Sequence, residues 1–133
     1  MLTRGHQRGW PIVGHYVERL TRTPAAHEWV SGACLLVRRD DAEAVGLLDE
    51  AYFLYGEDVD FCAALRRRGR AVLFTPGAEV VHVRGQSRRN VEGRAERAYR
   101  ASHLRFYAKH QPRWHPWLRA YLSLRGRLPS GER

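Results

Sequence analysis

Three carboxylates stand within four residues, Glu57, Asp58 and Asp60, in the run Phe53-Leu54-Tyr55-Gly56-Glu57-Asp58-Val59-Asp60-Phe61-Cys62. Acids crowded among aromatic and apolar neighbours are costly to hold unless they are paired or put to use. A carboxylate fixed at the edge of a pocket can take a proton from a substrate hydroxyl. The plainer alternative is a set of helix-start acids that complement the helix dipole. His82, 24 positions after Asp58, is the next side chain of chemical interest. By itself it reads as a structural or surface histidine.

These residues need elements to position them. Glu57 to Arg68 opens with acids, closes with Arg66-Arg67-Arg68 and meets Gly69, the pattern of a helix with a glycine stop. Helical phase places Asp58, Phe61, Cys62 and Leu65 on one face and turns Asp60 and Arg67 the other way. Asp58 is then the carboxylate at the end of the buried stripe, and Asp60 is expected to face solvent or serve the cap. Trp29 to Val37 is a nine-residue apolar run, predicted as a strand buried on both faces. Asp41 is expected to cap a short helix over Ala42 to Val45, ended by Gly46. Ala71 to Phe74 and Ala78 to Val83 are predicted as short strands, separated by Thr75-Pro76-Gly77. Arg84 to Asn90 is a basic loop, Glu92 to His110 is helical in pattern, and Pro112 stops it. Trp114 to Leu124 is a second amphipathic stretch. The expected organisation is a loop or remnant over 1–28, a structured unit over 29–112, and a basic amphipathic tail over 113–133.

The chain has 133 residues, enough for one domain with its own core. Its 44% apolar and 28% charged content excludes a disordered composition. The apolar runs are too short for a membrane span, and the N-terminus lacks a secretory pattern, so a cytoplasmic chain is expected. Cys34 and Cys62 belong to no C-x-x-C pair and are expected to be buried, reduced thiols. The net charge is +9, and every basic side chain except Lys109 is arginine. Charge of that sign favours phosphate-bearing partners. A general preference for arginine explains it as well, and no helix-turn-helix, zinc or aromatic-strand signature accompanies it. No specific nucleic-acid partner is expected.

Three motifs recur in a telling order: Trp29-Val-Ser-Gly-Ala-Cys-Leu-Leu-Val-Arg-Arg, then Leu48-Asp-Glu-Ala-Tyr-Phe-Leu-Tyr-Gly-Glu-Asp-Val-Asp-Phe-Cys, then Arg67-Arg-Gly-Arg-Ala-Val-Leu-Phe-Thr-Pro-Gly-Ala-Glu-Val-Val-His-Val-Arg-Gly-Gln-Ser. Together they resemble family 2 glycosyltransferases, and within them the bacterial rhamnosyltransferase-like branch. The resemblance covers roughly residues 28–112. It implies an α/β fold, the acceptor-side, C-terminal half of a GT-A domain, with an incomplete mixed sheet flanked by helices. It implies an inverting transferase using a nucleotide-sugar donor, a glycan or lipid-linked acceptor, and Mg2+ or Mn2+. Asp58 matches the family's general base, and Glu57 would orient the acceptor or shape the surroundings of Asp58. His82 resembles the family's metal-ligating histidine. Trp29 would form a flat wall for a sugar ring, and Ser31 and Gly32 would allow close approach of substrate to the backbone. Gln86 and Arg88 belong to the loop expected to meet substrate, with Arg84 and Arg89 as equal candidates for phosphate oxygens.

Asp58-Val59-Asp60 is formally an Asp-x-Asp triplet, the metal motif of the family's nucleotide-binding half. Here it opens a helix and is read as the acceptor-side pair instead. Two departures stand out. Only 28 residues precede Trp29, where the family carries its nucleotide-binding half, so the isolated chain is expected to be inactive. Gly46-Leu47-Leu48 stands where the family more often has two glycines and an aromatic. The tail over 113–133 has two equal readings: a helix lying on an anionic membrane at its inner face, or a helix docked on the sheet. The rival to the enzyme reading is a non-catalytic module that binds anionic partners, phosphorylated glycolipid or nucleic acid, through its arginines.

Overall fold

The computed structural model describes residues 22–82 and 95–129. Strand β1 (Ala25–His27) is followed by helix α1 (Arg39–Ala44), helix α2 (Glu57–Arg67), strand β2 (Val72–Phe74), helix α3 (Ala95–His110) and helix α4 (His115–Leu124). β1 and β2 pair antiparallel with Ala25 opposite Phe74, and His27 crosses to the Phe74 ring at 6.2 Å. β1 falls inside the stretch expected to be loop.

Helix α2 is the centre of the described structure. Glu57, Asp58 and Asp60 lie in its first turn and Arg66 and Arg67 in its last, as the charge order predicts. Gly69 takes φ +77° beyond the end, and its N–H donates to Arg66 O while that of Arg70 donates to Leu65 O. These two bonds satisfy the carbonyls that a helix C-terminus leaves open. Phe61 and Leu65 pack with Ala42 of α1 to form a small core, joined by Leu35, Val37 and Val45. Helix α1 begins earlier than expected, at Arg39, and no side chain caps it.

The run Trp29 to Val37 is not a strand among the described residues. Leu35 and Val37 are half-buried against the core, whereas Leu36 points to solvent. The run therefore meets apolar surface on one side only, and an apolar sequence alone does not reveal how many faces are covered. Cys34 is exposed and Cys62 is buried, so only one of the two thiols lies in the interior. Burial pushes the Cys62 thiol's pKa up. Residues 78–82 likewise form no strand, and Val80 and Val81 are exposed. Helix α4 packs on α3, and its Leu122 is buried.

Candidate functional site

The segment 28–32 runs antiparallel along α2 in a regular ladder. Glu28 meets Arg66, with carboxylate and guanidinium 3.8 Å apart; Cys62 Sγ lies 3.9 Å from Val30 O; and the Gly32 N–H donates to Asp58 Oδ2 at 3.0 Å. Steps of two on the segment match steps of four on the helix. Two extended residues rise about 6.8 Å and four helical ones about 6.0 Å, so the registers stay together. The ladder ends on the carboxylate that helical phase put at the end of the stripe. Asp58 Oδ1 accepts from the Val59 N–H at 2.8 Å. One backbone donor on each oxygen fixes the carboxylate plane, and a carboxylate has further lone pairs with which to take a proton. A Cβ at Gly32 would lie 3.4 Å from Asp58 Cβ, in ordinary van der Waals contact.

The turn that delivers the helix is unusual. Tyr55 and Gly56 both have positive φ, +65° and +97°. Gly56 is pressed between the Tyr52 ring and Ser102 of α3, where a Cβ would come within 3.1 Å of Tyr52 Cδ1. Ser102 Oγ donates to Leu54 O at 3.1 Å. A tyrosine in the left-handed region is costly, and such positions gather at functional sites.

Asp60 overturns the expectation that it faces solvent. It is only 2% exposed. Lys109 Nζ donates to Asp60 Oδ2 at 2.7 Å, His110 Nε2 lies 2.6 Å from Oδ1, and Tyr52 Oη donates to Oδ1 at 3.1 Å. Helix α3 covers the side of α2 that the apolar stripe leaves open, so both faces of α2 are buried. Burial alone would raise the Asp60 pKa, but the hydrogen bonds from Lys109 and His110 outweigh it and hold the pKa below its ordinary value. Burial, reinforced by the adjacent Asp60 charge, raises the pKa of the Tyr52 hydroxyl. Asp49 extends the network to Arg105 and Lys109. The Ala51 N–H first, and then these cations, lower the Asp49 pKa. One sequence signal could have exposed this network: the single lysine of an otherwise all-arginine chain sits in its centre. A compact ammonium suits a tight site better than a planar guanidinium.

The remaining candidates are spread out. Glu57 precedes Asp58 on α2, and its Oε2 is buried without a hydrogen-bond partner among the described residues. Ser31 Oγ accepts from the Ala33 N–H at 3.3 Å, and Trp29 is half-exposed two residues further back. His82 is exposed at the end of the first described stretch. Gln86 and Arg88, like Arg84 and Arg89, lie outside the described residues. Among the described residues no group of three His, Cys, Asp or Glu side chains could hold a metal ion. They do not by themselves compose the divalent-cation site that the resemblance implies. An open groove of about 910 Å3, lined by Leu35, Val37, Val45, Phe61 and Lys109, lies elsewhere than Asp58. Its apolar lining continues the core, and Asp49, Glu50 and Lys109 add charged groups to it.

A family model described as glycosyltransferase like family 2 matches residues 13–115. The chain belongs to glycosyltransferase family 2. Over 126 residues it is 40% identical to the N-acetylglucosaminyl-diphospho-decaprenol L-rhamnosyltransferase of Mycobacterium tuberculosis, covering 90% of this chain and 40% of that protein. It is 30% identical over 82 residues to rhamnosyltransferase WbbL of Escherichia coli, 62% of this chain and 31% of the relative. The O-antigen biosynthesis protein RfbC of Myxococcus xanthus is 29% identical over 124 residues, 85% of this chain and 10% of the relative. No solved structure matches. This family 2 chain thus falls in the rhamnosyltransferase-like branch and spans about 40% of the length of the first of these relatives. Its α/β arrangement fits part of a GT-A fold, with a two-stranded antiparallel sheet in the described residues.

Proposed function

We propose that these residues form the acceptor side of an inverting sugar transfer in cell-surface polysaccharide synthesis, with rhamnose as the sugar. The observation that carries the reading is Asp58, in the family's acid pair, fixed by the Gly32 N–H at 3.0 Å. The acceptor hydroxyl gives its proton to an Asp58 oxygen. Its electron pair attacks the anomeric carbon, and the bond to the nucleoside diphosphate breaks, with the electrons leaving on the diphosphate. Attack from the face opposite the leaving group inverts the centre. Glu57 and Trp29 line the acceptor's approach, and Ser31 and Gly32 admit it close to the backbone. Gln86 and Arg88 are assigned to substrate. A divalent cation, Mg2+ or Mn2+, would neutralise charge on the diphosphate, with His82 as its proposed ligand. A lipid-linked acceptor is favoured, because the first relative's name carries a diphospho-decaprenol. A cytoplasmic site, at the inner face of the membrane, belongs to the same reading.

The matched residues cover 40% of that relative. On this reading the 133 residues alone do not turn over a nucleotide-sugar, and turnover by the pure chain would count against it. The positive test is a chimera in which the matched part of this chain, 90% of it, replaces its counterpart in the Mycobacterium tuberculosis relative. Transfer of rhamnose is expected from the chimera. Asp58→Asn should lower kcat by about 100-fold or more, with a loss of stability of only about 1–3 kcal/mol from the one backbone N–H that the amide no longer accepts. A fully active Asp58→Asn chimera would remove Asp58 as the base.

A further inference from the structure

Helix α4 turns one apolar face toward α3 and a second toward solvent. Buried Leu122 belongs to the first. The second is a stripe at Trp114, Trp117, Tyr121 and Leu124, spaced three, four and three residues apart. At about 100° per residue these four fall within an arc of roughly 80°. Trp114 precedes the helix but has right-handed helical backbone angles, so it continues the stripe. The four side chains are 62%, 72%, 52% and 88% exposed. Scattered apolar residues on a surface need no explanation, but an aligned aromatic row does.

The charge around the stripe says what kind of surface would cover it. No Asp or Glu occurs between Glu96 and Glu132. Arg113 and Arg127 flank the helix and are exposed, and the Arg125 guanidinium lies 5.6 Å from the centroid of the Tyr121 ring. A second copy would bring the same arginines against these and be repelled. A bilayer carrying anionic lipid brings phosphates to the arginines and an apolar boundary to the rings. Tryptophan and tyrosine are the residues that favour that boundary, where the ring is dry and its N–H or O–H stays wet. No helix among the described residues is long and apolar enough to cross a membrane, so contact through α4 would be parallel to the surface.

We propose that α4 is an interfacial helix that lays Trp114, Trp117, Tyr121 and Leu124 into the headgroup region of an anionic membrane. The docking is independent of the transferase reading, and its test uses vesicles that contain neither acceptor nor nucleotide-sugar. The full 133-residue chain should sediment with phosphatidylglycerol vesicles at least tenfold more strongly than with phosphatidylcholine vesicles. Tryptophan emission should shift to the blue on binding. Trp117→Ser with Tyr121→Ser should cut binding about tenfold without changing charge. Arg125→Gln with Arg127→Gln should cut it similarly by removing charge alone, which decides the matter if the first pair perturbs folding. Failure to sediment with phosphatidylglycerol would overturn the proposal. So would binding unchanged in both paired variants, or a concentration-dependent dimer abolished by Trp117→Ser.

Discussion

Asp60 is nearly dry, and its two oxygens face an ammonium, an imidazole and a phenol. An ionised carboxylate only accepts, so His110 Nε2 supplies the hydrogen of the 2.6 Å contact. Removing the charge leaves Lys109 and His110 with a weaker acceptor. Asp60→Asn is expected to lower stability by roughly 2–4 kcal/mol at neutral pH, somewhat less than for a wholly buried pair because the Lys109 side chain is 41% exposed. The pH dependence has a definite sign. The folded-state pKa of Asp60 lies below its ordinary 3.8, so the stabilisation is complete above that value and is lost as pH falls through the lowered one. Urea unfolding at a series of pH values should show wild type and Asp60→Asn converging only below about pH 4. A gap that stays constant into acid would refute the pairing. Leu47 tells a different residue-scale story. It stands where the family more often has a second glycine, takes φ +62° and is 57% exposed. The left-handed region costs a leucine about 1–2 kcal/mol, more than the extra chain entropy of glycine. Leu47→Gly should therefore raise stability by about 0.5–1 kcal/mol, visible as a higher Tm; a lower Tm would show that the side chain makes contacts that matter.

At the scale of elements, α2 is clamped from both sides. The segment 28–32 lies along one face and α3 along the other, and the strained turn at Tyr55–Gly56 is pinned between Tyr52 and Ser102. Gly56→Ala must accommodate both a left-handed φ and a 3.1 Å approach to the Tyr52 ring. It is expected to cost about 2 kcal/mol or more, measured by thermal unfolding. An alanine variant as stable as wild type would mean that the turn can relax. The start, stop and charge order of α2 were legible because they are local: acids at one end, arginines and a glycine at the other. The second covered face was not legible, because Lys109 and His110 lie about 50 residues further on and carry no periodic mark that ties them to Asp60. The reading of Trp29 to Val37 as a doubly buried strand failed for the same reason: apolar sequence reports affinity for a core, not the number of neighbours present.

Over the whole molecule, the buried apolar set in the described residues is small. It comprises Ala42, Tyr52, Phe61, Cys62, Leu65, Val72, Ala95, Leu104 and Leu122, while large apolar side chains such as Leu36, Phe53 and Val81 are exposed. The slope of unfolding free energy against urea follows the area exposed on unfolding. For this chain it should fall near or below about 1 kcal/mol/M, the low end for small proteins. A slope near 3 kcal/mol/M would mean that much more surface is buried in solution than these residues account for.

The sequence by itself determined the family, the helix that carries the acid pair and the side of that helix on which Asp58 lies. All three are written in local order: motif spacing, capping residues and a 3.6-residue period. Only the tertiary structure decided that Asp58 is gripped by the Gly32 N–H, that Asp60 is a buried partner of Lys109 and His110, and that the aromatic row of α4 faces outward. Those facts depend on which distant segment packs on which face. A single chain's pattern leaves that open, because burial is a property of pairs of surfaces and not of one.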